Sequence, residues 1–438
     1  MKKSHKNSPK AAIVTLGCPT NQVDSERIMG GLVSLGFEIV PEEQADIAVV
    51  NTCGFIEDAR AESIEAIMSV AELKETGKLK SLVVAGCLAE RYRDELEGEL
   101  TEADAVVGLS DRAEIPALCL KLLDRDMPKE SEYSRVVTGP KSSAYLKIAE
   151  GCDNRCSYCA IPFIRGGFRS IPLDQAIADA GELSDLGARE IILVSQDTTN
   201  YGADLSDTNL PALIESLSAI EKIKWIRVLY ANPARIDDAL IDSLAAFPKV
   251  IPYIDMPVQH IAKNVLKNMG RFSDSDRIRN IVTKLRERID GLVLRTTVMT
   301  GFPGETEQDF DELLNFIKET RFERLGAFTY CAEEGTRAAG FETVVADELA
   351  EERHSRIMEL QSGIAEEFHA SLIGKEFDMI IDEADDENGT IIGRTYMDAY
   401  DIDGVVTVPG RIKEGEAFIK VRITGGDAYD MTGEVVKD

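Results

Sequence analysis

Up to about residue 136, short apolar runs alternate with amphipathic stretches. The pattern predicts strands at 11–16, 46–51, 81–85 and 104–107, with helices at 23–35 and 57–74 between them, the alternation of a parallel sheet with crossover helices. A polar linker at about 125–143 follows. Beyond it the same alternation returns, with strands predicted at 145–149, 189–194, 225–230, 251–256, 292–297 and 325–330 and helices such as 173–186 and 307–319. Six strand–helix units fall two short of a full eight-fold barrel. From about residue 375 the rhythm changes to short strands broken by Gly and Asp, at 377–381, 390–394, 404–408, 417–423 and 428–435, which read as a small all-β barrel. An amphipathic stretch at 347–372 joins it to the rest. The expected fold is therefore α/β in three domains. Residues 1–136 form an N-terminal parallel α/β domain, 137–372 an open partial (β/α)6 barrel, and 373–438 a terminal β-barrel.

The 438 residues, 44% hydrophobic and 29% charged, are ordinary for a globular protein. The formal net charge of -29 is not ordinary. Such an excess opposes approach to a phosphate backbone and favours basic partners. The first ten residues are basic, but no apolar stretch follows them and no run reaches membrane-spanning length. A cytosolic location is expected, with no membrane contact. In that compartment the eight cysteines read as ligands or buried thiols rather than disulfides.

Chemistry concentrates in Cys152-Asp-Asn-Arg-Cys156-Ser-Tyr-Cys159, directly after the first predicted barrel strand. Three thiolates on one short loop can hold three irons of a four-iron, four-sulfur cluster and leave the fourth iron open. A structural zinc site is the alternative, but it wants four ligands and no His lies near. A second set is topological. Cys18, Cys53 and Cys87 each follow a predicted N-terminal strand, beside Gly17, Gly54 and Gly86. The carboxyl ends of parallel strands share one edge, so these thiols converge there, either as three buried small hydrophobes or as the ligands of a second cluster. Cys119 lies on the apolar face of a helix and reads as core. Cys331, at the end of a strand pattern, stays open between the two roles.

The Cys-x-x-x-Cys-x-aromatic-Cys loop after a first strand resembles the signature of radical S-adenosylmethionine (SAM) enzymes. The resemblance implies a partial barrel with its site at the carboxyl ends of the strands, and SAM held on the open iron. Tyr158 matches the position whose ring lies beside the adenine, though simple packing under the loop explains it as well. By the same resemblance Gln196 and Arg295 would hold the methionyl or ribose part of SAM, and the backbone at Gly301 and Gly304 would pass close to it. Gly301-Phe-Pro-Gly-Glu-Thr306 also reads as a turn, with Thr306 and Asp309 as a capping box for the next helix. His260, alone at a strand end, is not expected to act as a base.

The N-terminal cysteine domain, the Cys152 loop and the terminal barrel, which resembles a TRAM domain, together look like the methylthiotransferase branch of that family. Its known substrates are adenosines in transfer RNA and an aspartate of small-subunit ribosomal protein twelve. Over residues 372–438, seven Lys or Arg stand against sixteen Asp or Glu, with the run Asp382-Glu-Ala-Asp-Asp-Glu387. An RNA-gripping barrel needs a basic stripe with aromatics, so this one suits a basic ribosomal protein. The acidic run is either a solvated loop or a substrate contact. Segments such as Asn51-Thr-Cys-Gly-Phe-Ile-Glu-Asp-Ala59 and Ile192-Leu-Val-Ser-Gln-Asp-Thr-Thr199 resemble the branch acting on the ribosomal protein. That resemblance implies two 4Fe-4S clusters and two uses of SAM. One gives a deoxyadenosyl radical that takes hydrogen from the aspartate β-carbon; the other supplies the methyl group. It implies also a one-electron donor such as flavodoxin or ferredoxin, and no nucleic acid contact except through the ribosomal particle. The alternatives are a transfer RNA methylthiotransferase and a non-catalytic iron–sulfur protein for electron transfer or storage.

Overall fold

The computed structural model describes residues 8–126, 135–271, 274–385, 387–413 and 415–436; segment 1–7 and the middle of the expected linker lie outside them. The chain forms two compact units, residues 1–138 with 160–167, and residues 139–159 with 168–438.

The first unit is built on β1 (Lys10–Thr15), β2 (Glu38–Ile39), β3 (Ile47–Thr52), β4 (Ser81–Gly86) and β5 (Ala105–Val107). They form one parallel sheet in the order β2-β1-β3-β4-β5. Every residue of β3 and β4 is buried, because helices cover both faces. Ala48, Val50, Leu82 and Val84 meet Ile67, Val70 and Ala71 of the helix Glu57–Glu75 on one face. Ile47, Val49, Val83 and Ala85 meet Ile28 and Leu32, with Ile115, Cys119 and Leu120, on the other. Cys119 is thus core. The strand order reverses between β1 and β3, and the crevice beyond such a switch point is where open α/β sheets bind ligands.

The first helix runs Pro19–Ser34, four residues earlier than its apolar pattern suggests. Pro19 at the first turn suits a helix start, while Thr20, Asn21, Asp24, Ser25 and Glu26 are all buried. A helix whose inner face is polar carries no hydrophobic periodicity over that stretch. Those side chains are instead satisfied by hydrogen bonds: Asn51 Nδ2 donates to Ser25 Oγ (2.8 Å), and Arg135 Nε to Glu26 Oε2 (2.7 Å).

The second unit opens with β6 (Ser143–Lys147), then a two-stranded ribbon of β7 (Ala149–Glu150) and β8 (Arg169–Ser170). Its main sheet continues through β9 (Glu190–Val194), β10 (Trp225–Val228), β11 (Val250–Asp255), β12 (Val293–Thr300) and β13 (Arg324–Thr329). The order is sequential, β6-β9-β10-β11-β12-β13, and every pairing is parallel. These are the six expected strands. The first ends at Lys147 rather than Ala149, because Ala149 pairs with Ser170 instead. The helix Glu307–Thr320 begins with the expected reciprocal cap between Thr306 and Asp309, and Asp347–Leu372 is one continuous helix.

The terminal strands β14 (Glu376–Asp385), β15 (Thr390–Arg394), β16 (Val406–Pro409), β17 (Phe418–Gly426) and β18 (Met431–Val435) close into a barrel. Buried charge joins this barrel to the sheet. Arg394, 1% exposed, donates through Nη2 to Glu190 Oε2 and Ser143 Oγ (both 2.9 Å) and through Nε to Asp382 Oδ2 (2.7 Å). Arg227 Nε meets Glu190 Oε1 at 2.8 Å. Burial alone would raise the Glu190 carboxyl, but the two guanidiniums overcome it and lower its pKa to about 2. Asp382, with Arg394 as its ion-pair partner, is instead raised by burial. Among the described residues no helix is long and apolar enough to cross a membrane.

Candidate active site

The Cys152–Cys159 loop leaves β7 at Gly151, whose N–H donates to Gln196 Oε1 (2.8 Å) beyond the end of β9. Gln196 therefore fixes where the loop begins. Ser157 fixes its far side: its N–H donates to Met269 O and its Oγ to Asn268 O, both at 2.8 Å, while its carbonyl accepts from Ala338 N–H (2.8 Å). Asn154 Nδ2 donates to Asp197 Oδ2 (2.7 Å) and lies 3.3 Å from Cys152 Sγ. Asp197, 2% exposed, also takes bonds from Thr199 Oγ1, Arg235 Nε and Asn232 Nδ2. Arg271 Nη1 stands 4.0 Å from Cys156 Sγ, and its Nη2 donates to Pro257 O. Burial pushes the Cys152 thiol up. The Tyr158 ring meets Phe302 edge-on at 6.4 Å among Met269, Met299 and Ala338, and burial raises its phenol.

The other predicted contacts have partners of their own. Arg295 Nη1 donates to Asp255 Oδ1 (2.8 Å), and its Nε lies 3.4 Å from Asp403 Oδ1, a carboxylate that also accepts from Tyr253 Oη. Its charge is committed to the joint with the terminal barrel. At Gly301 an added Cβ would stand 2.4 Å from Ala350 Cβ, so the packing of the helix Asp347–Leu372 by itself demands a glycine there. Gly304 has φ +86°, and an added Cβ there would meet only Asn268 Nδ2, at 3.8 Å. His260 is fully buried; burial lowers its pKa to about 4, and its Nδ1 accepts from Ala262 N–H. A neutral, enclosed imidazole is a structural group. Cys331 Sγ lies 3.4 Å from Glu333 Oε1. Gln259, beyond β11, adopts φ +69°, a conformation rare for a residue with a side chain, and its Oε1 is buried without a hydrogen-bond partner. Tyr330 Oη, just past β13, is likewise buried and unpartnered. Backbone strain and a buried acceptor without a partner are features that ligand sites share.

In the first unit the three thiol-bearing turns touch. A Cβ on Gly17 would lie 2.8 Å from Cys53 Cβ and 2.9 Å from its Sγ, and one on Gly54 would lie 2.9 Å from the Cys87 carbonyl. Only glycine lets these backbones approach so closely. Asn21 ties the strand ends together, its Nδ2 reaching Leu16 O (2.7 Å), Thr52 O (3.0 Å) and Asn51 O (3.4 Å). Cys18 is exposed, whereas Cys53 and Cys87 are buried. Burial pushes the Cys53 thiol up, and the Cys87 thiol up to about 12. Arg165 Nη2 donates to Cys87 Sγ at 3.3 Å. Among the described residues no group of His, Cys, Asp or Glu is arranged around one metal ion. A four-iron cluster makes a different demand, one thiolate on each of three irons. Asn154, Asp197, Arg271, Gln259 and Arg165 lie beside the thiols or strand ends without any sequence signal that singles them out.

Residues 10–108 match the family described as Uncharacterized protein family UPF0004, 146–317 the Radical SAM superfamily and 373–436 the TRAM domain. Among solved structures, a radical SAM methyltransferase, TsrM, from Kitasatospora setae is similar at TM-score 0.53 and 14% identity, over 76% of this chain and 77% of that one. The cobalamin-dependent SAM radical enzyme OxsB follows at 0.51 and 14%, over 80% and 56%. At that identity the likeness shows the fold. Sequence relatives are much nearer. The ribosomal protein uS12 methylthiotransferase RimO of Caldicellulosiruptor saccharolyticus is 43% identical over 98% of this chain and all of its own length. That of Geobacter sulfurreducens is 42% identical over 98% of each. With a likeness of this degree along the whole chain, and all three regions matched in order, the chain belongs to the RimO family of radical SAM methylthiotransferases.

Proposed function

We propose that this enzyme transfers a methylthio group to the β-carbon of an aspartate in ribosomal protein uS12. The full-length identity to enzymes named for that substrate carries the reading, and the acidic terminal barrel supports it against an RNA substrate. Cys152, Cys156 and Cys159 would hold one 4Fe-4S cluster, and Cys18, Cys53 and Cys87 a second. When bound, the first would supply one-electron cleavage of SAM, and the second a sulfur site for the group to be transferred. The labour divides as 1–136 for the second cluster, 137–372 for SAM chemistry and 373–438 for substrate recognition.

The chain's own residues position and enclose. Gln196 and Ser157 anchor the two ends of the thiol loop, and Asp197 orients Asn154 toward the Cys152 sulfur. Gln259 and Tyr330 offer their unpartnered oxygens to SAM, beside the Tyr158 and Phe302 rings that exclude water. Gly304, at φ +86°, would let the backbone pass close to SAM, and Arg295 stays paired with Asp255 at the strand end. A one-electron donor of the flavodoxin or ferredoxin class completes the set of partners.

The test separates the two thiol sets. Replacing Cys152, Cys156 and Cys159 with Ala should abolish deoxyadenosine formation from SAM. Replacing Cys18, Cys53 and Cys87 should preserve deoxyadenosine and abolish methylthiolation. Deoxyadenosine from the first variant, or methylthiolated product from the second, would contradict the assignment.

A further inference from the structure

Arg165 lies six residues beyond Cys159 in sequence, yet its segment, 160–167, belongs to the first unit. There Ala160 and Ile164 pack against Cys87 and Leu109. The Arg165 side chain is 1% exposed, and its guanidinium is held from two sides. Nη1 lies 3.3 Å from Asp24 Oδ2, and Nη2 lies 3.1 Å from Asn21 Oδ1 and 3.3 Å from Cys87 Sγ. Asp24 is equally buried and also meets Arg112 Nε at 3.4 Å. Neutralising Asp24 would need only one edge of the guanidinium; the other edge is aimed at the sulfur and at Asn21, the residue that ties together the strand ends bearing Cys18 and Cys53.

We propose that Arg165 is a positioning residue for the N-terminal thiol set, holding the Cys87 sulfur by a charge-assisted hydrogen bond and raising the reduction potential of the iron–sulfur cluster bound there. The inference rests on the two-cluster reading above. A guanidinium stays charged at every accessible pH. A fixed positive charge and an N–H donor at a ligand sulfur favour the cluster state that has gained an electron.

The test uses the full chain, reconstituted anaerobically, in wild-type form and as Arg165→Gln and Arg165→Lys. Iron and sulfide content and the midpoint of each cluster in an electron paramagnetic resonance redox titration are read. Chains lacking either thiol triplet assign the signals. Arg165→Gln should lower the N-terminal midpoint by at least tenfold in the reduction equilibrium, about 59 mV for one electron, and leave the other unmoved. Arg165→Lys, which keeps the charge but not the fork of donors, should fall between. If Arg165→Gln loses iron from the N-terminal set alone, that loss supports the holding role and Arg165→Lys supplies the midpoint. Full iron with unmoved midpoints in both variants overturns the proposal, as do equal shifts at both clusters. Should the Cys18, Cys53 and Cys87 triple variant keep the wild-type iron content, the two-cluster reading falls and this role with it; otherwise a failure at Arg165 leaves that reading standing.

Discussion

Arg394→Met should destabilise the second unit more than any single surface change. The side chain is 1% exposed and makes ion pairs to Glu190 and Asp382, a bond to Ser143 Oγ and another to Asp398 O. Methionine fills similar volume, so little cavity results, but Asp382 loses its ion-pair partner and Glu190 keeps only Arg227. Leaving a buried charge uncompensated costs about 3–5 kcal/mol, or roughly 5–15 °C in the transition of a domain of this size. The matched control is Arg422→Ala, whose pairs to Glu376 and Glu434 are half-exposed on the terminal barrel; screened by solvent, its loss should move the transition far less than Arg394→Met does. Calorimetry of the reduced chain reads both. The network carries a pH signature as well. Because Glu190 is lowered from 4.5 to about 2 in the fold, its stabilisation is complete above pH 4.5 and lost as the pH falls toward 2, by about 3 kcal/mol. Glu190→Gln should flatten that window. A loss below about 1 kcal/mol in Arg394→Met would refute the view that this charge network joins the barrel to the sheet.

Gln259→Gly should relieve the positive φ and leave stability within about 1 kcal/mol of wild type, while SAM binding to the reconstituted enzyme, followed by equilibrium dialysis, weakens about tenfold for one lost hydrogen bond; unchanged affinity would remove Gln259 from the site. His260, lowered from 6.5 to about 4 by burial, contributes stability that is complete above pH 6.5 and lost as the pH falls toward 4, so His260→Gln should flatten denaturation curves between those values. Binding of transfer RNA should be weak and lack a steep salt dependence in a fluorescence titration; tight, strongly salt-sensitive binding would reopen the RNA reading.

Much of the architecture was legible because it follows from periodicity. The helix Leu173–Leu186 and the strand Thr390–Arg394 stand at their predicted bounds, and the capping box at Thr306 forms as its sequence indicates. The first helix shows where periodicity fails: its buried face carries Asn21, Asp24 and Glu26, placed there by hydrogen bonds that apolar spacing cannot report. The convergence of Cys18, Cys53 and Cys87 could be read from topology, since parallel strands end at one edge. The groups around the thiols could not, because Arg165 reaches Cys87, and Arg235 reaches Asp197, across 78 and 38 residues of sequence. The acidic run was only half legible. Asp382 is drawn into the Arg394 network and Asp385 accepts from its own turn at Glu387 and Asn388, so the run is not one solvated face. Arg295 shows the same limit, because its partner Asp403 comes from a different domain pattern.

The most direct test of the central claim is mass spectrometry of ribosomal protein uS12 after anaerobic incubation with the reconstituted enzyme, SAM, sulfide and reductant, beside a parallel digest of transfer RNA. The account predicts one methylthio group on a single aspartate of the protein and none on the RNA; a methylthiolated adenosine with unmodified uS12 would contradict it.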